Sequence, residues 1–221
     1  MVIFLIANTA KQAAQSLENG PSPQKIWWVI IGFYALYFGY TSFLAVNGSF
    51  SGNSLPPKVL VFTTLPLFVF YFGIVFRSKL YWQLLQKAKL SSLVQIHTFR
   101  LVGFIFLIAY YYGALPARFA IHSGLGDVLS ALGAFVMVWA INTQKVWRYK
   151  ATLLWNIFGF WDIVLVIVSA FLTTRASINE GTQSITIMGQ FPYCWIAAFA
   201  PATIIFVHIS IFKKLKMEQK G

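Results

Sequence analysis

The chain has 221 residues, of which 58% are hydrophobic and only 10% are charged. An average soluble domain has about 25% charged residues, so a soluble domain of this composition would lack the polar surface to cover itself. The net charge of +12 does not indicate a nucleic-acid-binding protein, because no basic groove with interleaved aromatic side chains can be placed outside the apolar segments. The composition therefore predicts one integral membrane domain.

The apolar segments of the chain predict its architecture. Residues 1–24 are predicted to be a cytoplasmic N-terminal segment, since their apolar run is too short for a secretory signal. Six segments then reach the length of about 20 residues that a helix needs to cross a bilayer. They are 26–47, 59–76, 94–115, 124–141, 152–172 and 191–212. The sequence thus predicts an all-α bundle of six transmembrane helices, at 25–212, with a basic cytoplasmic tail at 213–221.

The lysine and arginine residues predict the orientation of this bundle. With the N-terminus inside, 14 of the 17 basic residues fall on the inner side, and only Lys58, Arg118 and Arg175 fall outside. Cytoplasmic loops of membrane proteins carry such an excess of positive charge. We therefore expect a multi-pass protein of the cell (inner or plasma) membrane with both termini in the cytoplasm.

A basic segment between the second and third spans, 77–92, has apolar residues at helical spacing. Leu80, Leu84 and Ala88 would share one face of a helix. Such a segment is typical of an amphipathic helix lying on the cytoplasmic face of the membrane. A plain helical connector would give the same pattern, and the sequence leaves both interpretations open.

Polar side chains within the spans form the main candidate site. Asp162 lies near the middle of the fifth span, and Asn156 falls on the same face of that helix. Arg100 lies one turn into the third span and either reaches the membrane surface or pairs with Asp162. His208 lies in the last third of the sixth span. A charge at the bilayer centre costs at least about 2.5 kcal/mol, so these residues are predicted to bind a substrate or ion. The alternative is a set of interhelical bonds that only holds the bundle together.

A second candidate site faces outwards at the start of the fourth span. Asp127 follows the sequence HSGLG, and Arg118 and His122 precede it in the predicted outer loop. These three side chains are predicted to form an outward-facing binding site. Alternatively, Asp127 lies in the first turn of the helix, where a carboxylate complements the helix dipole and caps free N–H groups.

The sequence contains no motif of a known catalytic or metal site. It has no G-x-S-x-G, no G-x-x-x-x-G-K-[ST] and no H-E-x-x-H, and the single cysteine, Cys194, excludes a site built on cysteine pairs. We therefore predict neither catalytic residues nor metal ligands. Heme is the one cofactor left open, because His97 and His208 are predicted at a similar depth on different helices and could ligate its iron.

One long string, RLVGFIFLIAYYYGALPARFAIHSGLGDVLSALGAF, is followed by WNIFGFWDIVLVI and a histidine-bearing last span. This pattern, R-x-x-G, L-P-x-x-F-A and G-x-G-D, resembles a loose group of uncharacterised bacterial inner-membrane proteins. The resemblance covers roughly residues 97–212. It implies a bacterial source and no known activity, and it points to Arg100, Asp127, Asp162 and His208.

Three functions fit these observations. The first is a small proton- or ion-coupled transporter, in which Asp162 exchanges the ion as the bundle alternates between states. The second is a non-catalytic subunit or assembly factor of a larger membrane complex, which needs only a packing face such as Gly126, Ser130 and Ala134. The third is a membrane heme redox protein that uses the histidine pair. The predicted partners are the lipid bilayer and either a second copy of the chain or another membrane protein, and not nucleic acid.

Overall fold

The computed structural model describes residues 1–18 and 20–218. Over these residues the chain is 81% helical and has no strand. The helices are α1 (Val2–Gln15), α2 (Pro23–Val46), α3 (Leu60–Val75), α4 (Lys79–Lys87), α5 (Leu90–Tyr111), α6 (Ala117–Asn142), α7 (Arg148–Glu180) and α8 (Cys194–Glu218). The predicted tail at 213–221 continues α8 as far as Glu218, and residues 219–221 of it lie outside the described residues.

Successive long helices run in opposite directions and define two ends of the bundle. The loop end holds the connections 47–59, 112–116 and 181–193, where the Gln183 side chain donates to the carbonyl of Gly113. The terminal end holds α1, α4 and the last turns of α8. There the Lys214 ammonium donates to the carbonyl of Gln86. At both ends, hydrogen bonds between segments that are distant in sequence therefore stabilise the connections.

The predicted all-α architecture is confirmed. Within the described residues, five helices are long and apolar enough to cross a membrane, and the number becomes six if α3 and α4, bent by 87° at their junction, count as one broken span. Helices α6 and α7 extend beyond their predicted spans at both ends, since polar residues can continue a helix until a backbone signal ends it. For α7 that signal is Gly181, whose φ of 67° is a left-handed conformation that glycine adopts without strain.

The helices differ sharply in how much of their surface is covered. In α8, 67% of the most apolar stretch is buried, against 11% in α2. The α2 side chains include Leu36, which is 78% exposed. A continuous apolar helix with so little protein cover fits contact with lipid. The core therefore lies around α8, between α5, α6 and α7.

Helix α4 turns almost at right angles to α3, at the terminal end. Its Leu85 is buried, and the Tyr81 hydroxyl lies 2.8 Å from the Ser210 hydroxyl of α8. The segment 77–92 is thus helical over Lys79–Lys87 and lies across the end of the bundle. This is the direction that a surface-lying amphipathic helix would take.

Candidate functional site: a buried ionic centre

Arg100 is fully buried at the middle of the bundle and bonds to carboxylates from two other helices. Its Nε donates to Oδ1 of Asp127 on α6 at 2.7 Å, and its terminal guanidinium nitrogen donates to Oδ2 of Asp162 on α7. The backbone around it, His97–Gly103, is wound as a 3₁₀-helix within α5. A 3₁₀ stretch inside a longer helix is uncommon and often marks a functional position.

A second layer of bonds connects Arg100 to α8. Nη1 of Arg100 donates to the carbonyl of Gly159 at 3.1 Å and lies 3.4 Å from Nε2 of His208. Nδ1 of His208 lies 2.7 Å from Oδ1 of Asn156, whose amide nitrogen donates to the His208 carbonyl at 3.0 Å. These bonds join α5, α6, α7 and α8. We call Arg100, Asp127, Asp162, Asn156, His208 and the neighbouring His97 the ionic centre.

Two glycines allow the helices to approach closely enough to form this centre. A Cβ atom at Gly126 of α6 would overlap the Asp162 carboxylate, and one at Gly159 of α7 would lie 2.7 Å from Cε1 of His208. Any larger side chain at these positions would push the carboxylate or the imidazole aside. The sequence therefore admits the ionic centre only because glycine occupies these two positions.

The predicted packing face Gly126, Ser130 and Ala134 is covered within the chain. Besides the contact of Gly126, the carbonyl of Ser130 accepts a bond of 2.9 Å from Nε1 of Trp155 on α7. Ala134 has no exposed surface. This face thus packs α6 against α7, and it is not free to bind another protein.

His97 and His208 meet face to face. Their ring centroids are 3.9 Å apart, with 28° between the ring planes. Both imidazoles are fully buried, and neither ring nitrogen of His97 has a hydrogen-bond partner in the described part of the chain. Axial ligands of a heme instead aim ring nitrogens at an iron between them. Two stacked rings leave no room for the iron and its macrocycle, so the histidine pair does not fit a bis-histidine heme.

The ionic centre holds one guanidinium against two carboxylates. An unpaired charge in an apolar interior is costly, so such a site tends towards neutrality. One proton, carried by a carboxylate or an imidazole, neutralises this set. Among the described residues, no group of three or more His, Cys, Asp and Glu side chains has the geometry to hold a metal ion. The arrangement is therefore chemically suited to bind and release a proton.

A cavity of about 80 Å³ leads from the loop end to the ionic centre. Asp127 and Ile163 lie at its inner end, and Asn53, Lys58 and Thr186 line it nearer the loop end. Since one water takes up about 30 Å³ in the liquid, a few waters would fill this space. This space is called the loop-end cavity below, and Asp127 is the residue of the ionic centre that lines it.

The structure brings together the four residues of the main predicted site, Asp162, Asn156, Arg100 and His208. Of the two alternatives for Arg100, it shows the pair with Asp162. It adds Asp127, which the sequence places in the predicted outer site. The binding or transport role of these residues stays a prediction.

The predicted outer site of Arg118, His122 and Asp127 is wrong as a cluster. Arg118 and His122 are exposed, whereas Asp127 is 4% exposed and bonds to Arg100. Helix α6 begins at Ala117, so Asp127 lies almost three turns into it and caps nothing. A separation of five residues turns Asp127 about 140° away from His122 around the helix.

The fold and the ionic centre define an all-helical protein whose long apolar helices enclose a charged core. The chain belongs to the family described as Domain of unknown function (DUF8737), which matches residues 56–216. The match contains every residue of the ionic centre, while α1 and α2 lie outside it. No curated protein and no solved structure matches the chain.

Proposed function

We propose that this protein is a small proton-coupled membrane transporter and that the ionic centre binds and releases the coupling proton. The observation that carries the proposal is the position of Arg100, which is fully buried and shared between two carboxylates of different helices. Ionisable residues within membrane spans are rare and usually mark ion pathways or proton relays. Sites of small transporters likewise lie near the middle of the membrane, between packed helices.

In the proposed mechanism, a proton competes with the Arg100 guanidinium for the Asp162 carboxylate. While Asp162 is ionised, the guanidinium holds α6 and α7 together through its bonds to Asp127 and Asp162. A proton on Asp162 removes the charge that attracts Arg100, so the α7 end of this bridge weakens while the bond to Asp127 persists. Binding of a proton then favours one of two helix arrangements over the other, which is the coupling that a transporter needs.

Access to the proposed site differs between the two ends of the bundle. The loop-end cavity reaches Asp127, whereas the stacked pair of His97 and His208 lies on the terminal side of Arg100. The unpartnered ring nitrogens of His97 offer a proton-accepting position on that side. In this proposal the loop end faces outwards and both termini are cytoplasmic, in a bacterial inner membrane, as the basic residues and the resemblance imply.

Proton movement into proteoliposomes tests the proposal. Purified protein is reconstituted around a trapped pH-sensitive dye, and a potassium diffusion potential is imposed. We expect proton uptake faster than in protein-free liposomes and its loss in Asp162→Asn, because the amide cannot bind the proton. The matched control is Arg118→Ala, an exposed position outside the centre, which should behave as the wild type.

Two results would count against a transporter. One is wild-type proton uptake no faster than in protein-free liposomes. The other is unchanged uptake by a monodisperse Asp162→Asn protein. In either case the second function, a subunit or assembly factor, would be the better account, although its predicted packing face is already covered. A second copy of the chain or another membrane protein as partner stays a prediction.

A further inference from the structure

A second and larger cavity lies at the terminal end, away from the ionic centre. Its volume is about 570 Å³, which is within the range of small-molecule binding sites. Helices α1, α2, α3 and α4 surround it, and α5 and α8 form its back wall. The side chains that line it include Ile6, Ile30, Phe70, Leu84, Leu93 and Phe206. We call this space the terminal-end cavity.

Five hydroxyl groups that line this cavity are bonded to one another in two sets. The Tyr71 hydroxyl lies 2.5 Å from that of Tyr34 and 2.9 Å from Oγ1 of Thr203, and Tyr81 bonds to Ser210. These groups are already satisfied, so they do not call for a polar ligand. The rest of the cavity wall is formed mainly by apolar side chains. The occupant that fits them is a hydrocarbon chain.

The mouth of the cavity is basic. Lys25, at the start of α2, lines the cavity and is exposed, and no carboxylate of the described residues pairs with its ammonium. Lys79 of α4 is exposed at the same end of the bundle. The chain has only five acidic residues, two of which are paired with Arg100 in the ionic centre. A negatively charged head group would therefore meet positive charge at this mouth.

We propose that the terminal-end cavity binds one acyl chain of an anionic phospholipid, whose phosphate lies beside Lys25. The transverse α4 and the surface helix α1 place this mouth at the end of the bundle, where head groups would lie if the long helices cross a bilayer. The inference shares no residue with the ionic centre and does not depend on proton transport.

Retention of lipid by the purified protein tests this site. The full chain is delipidated in detergent and incubated with phosphatidylglycerol or phosphatidylcholine, and bound lipid is counted by native mass spectrometry. We expect one retained phosphatidylglycerol and no retained phosphatidylcholine. Lys25→Ala should weaken retention about fivefold, the effect of one basic side chain near an anionic head group. Ala10→Trp, which narrows the cavity, should abolish it.

The controls separate this site from general lipid contact and from the proposed function. Leu36→Trp changes an exposed apolar position of α2 and should retain phosphatidylglycerol as the wild type does. Asp162→Asn should also retain it, even if proton uptake is lost. Equal retention of both lipids, or full retention by a monodisperse Ala10→Trp protein, would overturn the proposal. So would a free fatty acid displacing phosphatidylglycerol at equal concentration.

Discussion

Replacing Arg100 by methionine is expected to lower the free energy of unfolding by about 3–5 kcal/mol. The substitution keeps a flexible apolar stem but removes the guanidinium cation that Asp127 and Asp162 share. Two carboxylates then remain in the interior without a partner. Equilibrium unfolding in mixed detergent micelles measures the loss.

Neutralising both carboxylates as well should restore most of the free energy of unfolding that Arg100→Met loses. In the triple variant Arg100→Met, Asp127→Asn and Asp162→Asn no charge remains, and buried ion networks replaced by uncharged groups are often no less stable. Arg118→Met, an exposed position, should change the free energy of unfolding by less than about 0.5 kcal/mol. If Arg100→Met were as stable as the Arg118→Met control, the ionic centre would not contribute to the fold as described.

Replacing Gly126 by alanine is the second substitution with a large expected effect. The added methyl group would occupy the position of the Asp162 carboxylate, so either the carboxylate must move away from Arg100 or α6 and α7 must separate. Overpacking of this kind costs about 1–3 kcal/mol. We expect this loss of stability in the same unfolding measurement, together with reduced proton uptake.

Gly39 provides a matched control for this substitution. It lies in α2, and an added Cβ would meet nothing within 4 Å. Gly39→Ala should therefore be neutral or stabilise the helix by up to about 1 kcal/mol, the difference in helix propensity. In an Asp162→Ala background Gly126→Ala should cost little, since the obstructing carboxylate is gone. A full cost in that background would show that another contact is responsible.

Much of the fold could be predicted from apolar segments alone, because a bilayer-spanning helix must satisfy its own backbone bonds over about 20 residues. The pairing of Arg100 with Asp162 was one of two alternatives that the sequence left open, and the cost of burying either charge alone is the physical reason for it. The sequence predicts Asp127 in the first turn of its helix because the apolar stretch begins at 124, whereas the helix itself begins at Ala117. With α6 starting after Pro116, Asp127 falls on the same face as Ser130 and Ala134 and points inwards.

Three other features of the structure could not be predicted from the sequence. His97, which stacks on His208, begins the 3₁₀ stretch His97–Gly103 of α5. The angular spacing of side chains in a 3₁₀-helix differs from that in an α-helix, so α-helical periodicity did not indicate this contact. The terminal-end cavity depends on α1, which the sequence indicated only as a segment before the first span. The sequence indicates Gly126 as a packing position, but it does not indicate that the side chain which Gly126 faces is Asp162.

The measurement that tests the central claim most directly is the infrared difference spectrum of the purified protein between acidic and alkaline pH. If the ionic centre takes up a proton at Asp162, the wild type will show a carboxylic acid C=O band that appears on acidification. Because the other carboxyl groups of the chain also take up protons, the test is the difference between variants: the part of this band that is present in the wild type and in the Arg118→Ala control will be missing in Asp162→Asn. Wild-type and Asp162→Asn spectra with the same C=O band would contradict the account.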